Sequence, residues 1–525
     1  MACRFKQHRL CINSYAFCGM CAPKTTSLLD NNEIEDADVE SSIEIIAREY
    51  NKQDDATMKV SIGVLQRVYE SLQDRGQRTD QGKEAIDPES HLFVIDAFEM
   101  PLWNWSSECG TFEKFPAPLT MSGTPESQVF AMRNRFNIIR QCVLRNEHFA
   151  PSTLPSRDRE RLVPLKSTKQ LLGRAGERFL LLGMLAHSKE GKLCIEDADG
   201  SVELDFSKLD EPGDGLFTEG CFALVEGEYT EDGTLEIIAI GQPPCDPGNS
   251  AKLERFSSIY GHIEFRGKGA TSLLEDSQLS VRVREELSDL NFFFLSDVWL
   301  DNPRTLPALQ KMFENCVENR FVRKLIVLCG NLTSKSISHG QGRDVQCYQE
   351  NFDALADLIA SYPMITRSTH FVFVPGPLDV AVNSILPRRP LLSSFVGRLK
   401  TRVLKVHFAT NPCRIKFFDQ RIVVLREDLM AKMLRNVVGV KPDARSDDLK
   451  KFLVRSILNQ SHLCPLTVNI QVTLSDYDHS LRLYPLPTDC SRYKVTYTGC
   501  HVFNPVSFVG GISFVFSTVE EDAEE

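Results

Sequence analysis

Three stretches of this sequence run from apolar residues into residues that could carry chemistry. FFFLSDVW ends in Ser296, Asp297 and Trp299, and LIVLCGNL ends in Gly330, Asn331 and Leu332. HFVFVPGPLD ends in Gly376, Pro377, Leu378 and Asp379. Each reads as a buried strand that stops at a turn. In open α/β sheets the rim made by such strand ends is where ligands sit. His462 and His479 follow later in the chain. A carboxylate and an imidazole gathered at one rim would suit a divalent cation. Trp, Pro and Leu offer a hard cation no ligand atom, and Asn brings no charge. The rim has the outline of a site and few of its ligands.

Two other groups of residues could bind something. Of the 16 cysteines, Cys194, Cys221 and Cys329 stand inside apolar segments and read as buried free thiols. Cys3, Cys11, Cys18 and Cys21 cluster at the front, and the last two have the spacing of a zinc knuckle. The other gaps are long and irregular, so this stretch is expected to be a disordered leader rather than a metal site. Arg388, Arg389, Arg398, Lys400, Arg402 and Lys405 form a candidate basic patch, with no acid from Ile385 to His407. A DNA-binding surface is one reading of it. A solvated helix face is the favoured one.

Composition narrows the function. The chain has 525 residues, a formal net charge of -11 and 42% apolar residues. That length suggests three or four globular domains, or two or three if one is large. The acidic balance argues against a broad grip on nucleic acid, which needs Lys and Arg to displace counterions; direct DNA contact is expected to be weak or indirect. No apolar run reaches the ~18 residues of a membrane span, and the N-terminus lacks the apolar core of a secretory signal. The expected setting is cytosol or nucleus, with no membrane.

The elements that must position the rim can be traced along the chain. Residues 1–85 read as a leader and a small helical region, with helical spacing in SSIEIIAREYNKQ and VSIGVLQRVYESLQDR after an acidic run from Asp30 to Glu40. Residues 86–165 are expected to be a connecting segment near a barrel, with a strand in HLFVIDAFEMPLWNW and a helix in VFAMRNRFNIIRQCVLRN. Residues 166–246 show five short strands with turns at Lys189–Lys192, Asp197–Gly200 and Asp232–Gly233, which suits an OB-type barrel. Its aromatics, Phe179, Phe206, Phe217, Phe222 and Tyr229, sit among acids and read as core rather than as a base-stacking platform. Residues 255–516 alternate strand and helix, then add strands in KVHFAT, RIKFFD, RIVVLRED, LTVNIQV, SLRLYPL, KVTYTG and ISFVFST. Two packed sheets with helices outside would account for that order. Residues 517–525 are an acidic tail. The fold class is α+β multidomain.

The order of strand ends resembles the calcineurin-type metallophosphoesterase fold. That resemblance implies a β-sandwich with a two-metal site at the rim. Those enzymes place His, a bridging Asp, and an Asn-His pair where this chain has Trp299, Asn331, and Pro377 with Leu378. Asp297 and His462 alone keep a usable ligand type, and Gly376 keeps the turn. A bridging carboxylate is needed to hold two divalent ions together against their repulsion. The reading is therefore a degenerate site with no catalytic residue, no metal and no cofactor. The rival is an active metal-dependent phosphoesterase or nuclease.

A barrel followed by a ligand-free phosphoesterase domain is similar to the B-subunit family of replicative DNA polymerases, and most of all to its epsilon branch. The phrases FLSDVWLD, FVFVPGPLD, SILPRRPL, TNPCRI, REDLMAKM and LRLYPLP carry the resemblance. It covers roughly residues 90–515 and implies a non-catalytic accessory subunit in chromosomal replication, located in the nucleus. Its implied partners are the cysteine-rich C-terminal domain of the DNA polymerase epsilon catalytic subunit and the small histone-fold subunits of that complex. The N-terminal region would reach the replicative helicase assembly.

Overall fold

The computed structural model describes residues 88–106, 111–114, 119–146, 149, 164–209, 215–245, 292–320, 323–337, 342–380, 384–418, 420–439, 446–484, 495–497, 500–502 and 508. The leader cysteines, the helical stretches before residue 75, the strand ISFVFST and the acidic tail lie outside the described residues. Described residues from Phe93 onward belong to one unit, Phe93–Gly248 with Leu287–Glu525. Among the described residues no helix is long and apolar enough to cross a membrane.

The chain opens with β1 (Leu92–Asp96) and a hairpin of β2 (Trp103–Ser106) and β3 (Thr111–Lys114), followed by helix α1 (Pro125–Arg145). The helix begins one turn earlier than its apolar spacing indicates. Thr124 caps it: Ser127 N donates to Thr124 Oγ1 at 3.2 Å, and Thr124 N donates to Ser127 Oγ at 3.1 Å. Pro125 occupies the first helical position, where an N–H would have no partner anyway.

Ile139 and Val143 of α1 pack on Leu182, Phe222 and Leu224 of a barrel. Its strands are β4 (Leu165–Lys166), β5 (Arg178–His187), β6 (Leu193–Glu196), β7 (Ser201–Asp205), β8 (Phe222–Tyr229) and β9 (Thr234–Gly241). They run in the order β4-β5-β6-β7-β9-β8, and β8 pairs back onto β5, so five strands close. The three turns sit where their Gly and Asp residues place them, closed by bonds such as Asp197 N to Gly200 O at 2.9 Å. The β8–β9 register shifts at Glu226/Gly227, and a Cβ at Gly227 would lie 2.5 Å from Glu236 O. Closure demands glycine there. Phe179 and Phe217 are buried in the barrel core, with Phe206 and Tyr229 packed against it, and Phe222 is buried under α1.

The second half is a mixed α/β structure. β10 (Phe292–Ser296), β11 (Leu325–Cys329), β12 (His370–Val374) and β13 (Val406–Phe408) form a parallel sheet in that order. Between them run α2 (Thr305–Glu318), α3 (Gly342–Ala360), α4 (Pro363–Ser368) and α5 (Ser393–Arg402). Phe293, Leu295, Ile326, Leu328, Phe371 and Phe373 face these helices at period two, packed on Leu309, Phe313, Phe352 and Leu399. The alternate residues are buried too, which makes the strands read as continuous apolar runs. On that other side Phe292 meets Phe417 edge-on at 5.2 Å. Phe417 belongs to a second sheet of β1, β14 (Cys413–Phe417) and β15 (Gln420–Val424). The connecting segment therefore divides: α1 lies on the barrel, while β1 is an edge strand of the C-terminal sheet.

Among the described residues, two expected strands do not form. LTVNIQV, residues 466–472, is turns that pack Leu466 and Ile470 into an apolar cluster. Around SLRLYPL the chain forms a 3₁₀ helix, Ser475–Leu481, and then bridges Arg482 to His462. α6 (Leu429–Arg435) and α7 (Ser446–Asn459) precede these turns, and a short hairpin, β16 (Val495–Tyr497) and β17 (Cys500–Val502), follows them.

The turns exist because buried polar groups pin them. Arg135 of α1 donates Nε to Asp478 at 3.0 and 3.1 Å, with both residues at least 95% buried. His462 Nε2 lies 3.4 Å from Asp478 Oδ1, and His479 Nε2 donates to Met100 O at 2.9 Å. At the barrel seam Gln460 accepts from Phe222 N and donates to Phe222 O, each at 2.7 Å. Ser456 Oγ accepts from Leu216 N at 2.7 Å. A buried amide left unpaired costs about 1–3 kcal/mol, so the side chain of Gln460 replaces a missing strand neighbour for Phe222.

Gln460→Leu strands both Phe222 groups and is expected to lower stability by about 3 kcal/mol, read as a shift in the urea midpoint at constant slope. Burial, with Arg135 or Arg482 nearby, lowers His462 and His479 to about 4 from 6.5. Their stabilisation is complete above pH 6.5 and is lost as pH falls toward 4. Asp379, raised by burial to about 6 from 3.8, works oppositely: stability from it returns as pH falls through 6. The histidines outnumber it, so a net loss of about 2 kcal/mol between pH 7 and pH 5 is expected in denaturant titrations at the two pH values. A constant or rising midpoint would contradict that sign.

Candidate functional site

The C-terminal ends of β10, β11 and β12 bring Asp297, Asn331 and Asp379 together. Asp297 has φ +53°, a left-handed conformation that Asp tolerates when its surroundings hold it. Here they do. Asp297 Oδ1 accepts from Asn331 N at 3.1 Å, from Asn331 Nδ2 at 3.1 Å and from Arg426 Nη2 at 2.9 Å. Asn331 Oδ1 in turn accepts from Leu378 N at 2.9 Å. Asp379 Oδ2 accepts from Gly376 N and Oδ1 from Leu332 N, both at 2.7 Å, and Tyr348 Oη lies 3.3 Å from Oδ1.

The turns touch without side chains between them. A Cβ on Gly330 would collide with Gly376 N, and a Cβ on Gly376 would come 2.5 Å from Asn331 Oδ1. Trp299 is half-buried, its N–H donates to Asp297 O at 2.9 Å, and its Nε1 has no hydrogen-bond partner among the described residues. Pro377 and Leu378 complete the third turn. Every carboxylate oxygen that could serve a cation from Asp379, and Oδ1 of Asp297, is already taken by a donor of the protein. Among the described residues no group of three or more His, Cys, Asp or Glu is arranged to hold a metal ion.

His462 is not part of this rim network. It is 1% exposed, lies against Asp478, and its Nδ1 accepts from Cys464 N at 3.1 Å. Burial alone would raise the Asp478 carboxyl, but Arg135 and His462 outweigh it and hold it well below the usual range. Sequence reasoning missed Arg426 as the partner of Asp297. The available signal is its position two residues after the end of β15, a basic residue leaving a strand end. It also passed over Asp379 as a structural residue, although an acid three residues after Gly376 is placed to accept that glycine's N–H.

The candidate basic patch is dispersed. Arg388 is 1% exposed and paired with Glu427, so it is corrected from surface to interior. Arg398 Nη2 is 2.7 Å from Asp357 Oδ2, and Arg402 pairs with the same carboxylate. Lys400 lies over the Phe408 ring at 5.3 Å, Arg389 is exposed, and Lys405 is half-buried. On the barrel, Arg178 pairs with Glu226 and Lys192 with Glu203, each at 2.8 Å, and Lys208 with Glu236. Cys194, Cys221 and Cys329 are buried, and burial pushes the thiols of Cys221 and Cys329 up to about 12.

Comparison with known proteins matches both halves of this architecture. Residues 125–244, α1 with the closed barrel, match the family described as DNA polymerase epsilon subunit 2-like, OB-fold domain. Residues 292–489 match the DNA polymerase alpha/epsilon B-subunit family. The chain is 37% identical to DNA polymerase epsilon subunit 2 of Homo sapiens over 442 residues, 81% of each protein. It is 31% identical to the DNA polymerase epsilon B-subunit of Schizosaccharomyces pombe, over 83% of this chain and 76% of that protein. DNA polymerase epsilon subunit 2 of Drosophila melanogaster is 30% identical, over 80% of this chain and 79% of that protein. With two matched domains and four-fifths of its length aligned to such relatives, the chain belongs to the DNA polymerase epsilon subunit 2/B family.

Proposed function

We propose that this chain is a non-catalytic accessory subunit of DNA polymerase epsilon that scaffolds the holoenzyme in the nucleus during chromosomal replication. Its second half is a calcineurin-like phosphoesterase sandwich, spanning 255–516, whose site positions Asp297, Trp299, Asn331, Gly376, Pro377, Leu378 and His462 no longer form a metal centre. The observation that carries this is the oxygen of Asp297 shared by Asn331 and Arg426. A guanidinium stands where a metallophosphoesterase needs a divalent cation, and a neutral amide where it needs a bridging carboxylate. Reactivity is lost, and the loops gain fixed hydrogen bonds.

The cysteine-rich C-terminal domain of the polymerase catalytic subunit is the proposed docking partner, and the small histone-fold subunits complete the assembly. The first 85 residues are the proposed contact toward the replicative helicase assembly. A large, welded barrel-plus-sheet surface suits a stable obligate interface. Co-expression with that C-terminal domain is expected to give a one-to-one complex that survives gel filtration at high salt. Separate elution of the two chains, with phosphodiesterase activity in this one, would overturn the proposal.

A further inference from the structure

A pocket of about 360 Å³ opens where the barrel meets the turn after α6. Thr218 bridges Val437, and Val438 N donates to Phe217 O at 2.9 Å, so the two walls are fixed to each other. Gly439 follows at φ +69°, and a Cβ there would lie 2.9 Å from the Phe206 ring. The volume falls in the range of ligand pockets, about 300–1,000 Å³, and a seam between domains is a common place for one.

Leu193, Phe206, Val438 and Ile470 give the pocket apolar walls, and each is partly exposed. Its polar lining is His187, Glu219 and Asn436, with no Lys or Arg among the described residues. A ligand can reach the first two: the side chain of Glu219 is 38% exposed and that of His187 40% exposed. His187 Nδ1 lies 3.3 Å from Glu219 Oε1. Among the described residues this imidazole is the ionic partner of the carboxylate, and an imidazole carries charge only when protonated. More acid lies close by: burial, with Glu196, Glu203 and Glu219 near, raises the Cys194 thiol. The neighbouring cations are engaged elsewhere. Lys192 donates to Glu203 at 2.8 Å, and Arg435 donates Nε to Ala431 O of its own helix at 3.0 Å.

An accessible carboxylate beside apolar walls selects a cation on an apolar stem. The same charge repels phosphates, which disfavours nucleic acid. Arginine suits the pocket better than lysine. Its guanidinium pairs with a carboxylate through two parallel hydrogen bonds, is weakly hydrated and stacks on flat rings, which Phe206 and His187 supply. We infer that this pocket takes an arginine side chain from a segment of a partner protein, its guanidinium on the Glu219 carboxylate and its methylenes along the apolar walls. The source of the segment rests on the scaffold role proposed above, but the arginine chemistry does not. Failed complex formation with arginine binding intact counts against the scaffold reading alone.

The test is saturation-transfer NMR on the full chain with N-acetyl-L-arginine methylamide, set against its citrulline analogue, which has the same shape and no charge. The arginine probe is expected to bind about fivefold more tightly, a preference sized for a partly exposed ion pair. High salt is expected to shrink the preference. Glu219→Gln keeps the size of the side chain and removes its charge, and is expected to bring the two probes level. Glu196→Gln, on β6 and outside the pocket lining, is expected to leave the preference in place. Equal binding to the unaltered chain overturns the proposal, as does a preference that survives Glu219→Gln or is lost with Glu196→Gln. Binding of neither probe also overturns it, including the case in which a segment of this chain fills the pocket. If Glu219→Gln does not fold, screening decides: a preference undiminished at high salt overturns the proposal.

Discussion

The structure depends on a buried ion pair between residues more than three hundred positions apart. Arg135 on α1 and Asp478 on the late 3₁₀ turn meet with almost no solvent access. Taking two such charges out of water costs several kcal/mol each, and only close, multiple hydrogen bonds offset that. The geometry is correspondingly specific: α1 can settle on the barrel and still reach Asp478 only if barrel and sheet domain hold one arrangement. Gln460 and Ser456 enforce the same arrangement from the other side, by completing the backbone of Phe222 and Leu216. Breaking any of these leaves a buried group unpaired, so the two halves behave as one body.

The same economy of polar groups governs the rim. Three strand ends converge, glycines at 330 and 376 let two turns touch, and acids bind the turns to each other. Asp297 pairs with Arg426 across the rim, so an ion pair within the chain helps to hold the turns together.

Much of this was legible in the sequence, and the rest was not, for identifiable reasons. β10, β11 and β12 are short apolar runs ended by Asp, Gly and Pro, a pattern that admits few alternatives once helical spacing appears between them. The barrel is legible because Asp-Gly pairs mark its turns. Residues 466–484 mislead because Val, Ile and Leu there satisfy strand propensity, yet their backbone is bent by contacts with Arg135, Met100 and Leu386, all remote in sequence. β1 could not be assigned to the C-terminal sheet, since its partner β14 lies over three hundred residues away. At the site, that Trp299, Pro377 and Leu378 offer no metal-ligand atom, and Asn331 no charge, is readable from residue type alone. The burial of Arg388 and the pairing of Asp297 with Arg426 depend on distance and cannot be read from spacing.

The most direct test of the central claim is calorimetric titration of the purified full chain with Mn²⁺, alongside hydrolysis of bis-p-nitrophenyl phosphate. No saturable binding in the micromolar range and no turnover above buffer are the results this account predicts. Two bound ions with metal-dependent hydrolysis, lost on Asp297→Ala, would contradict it.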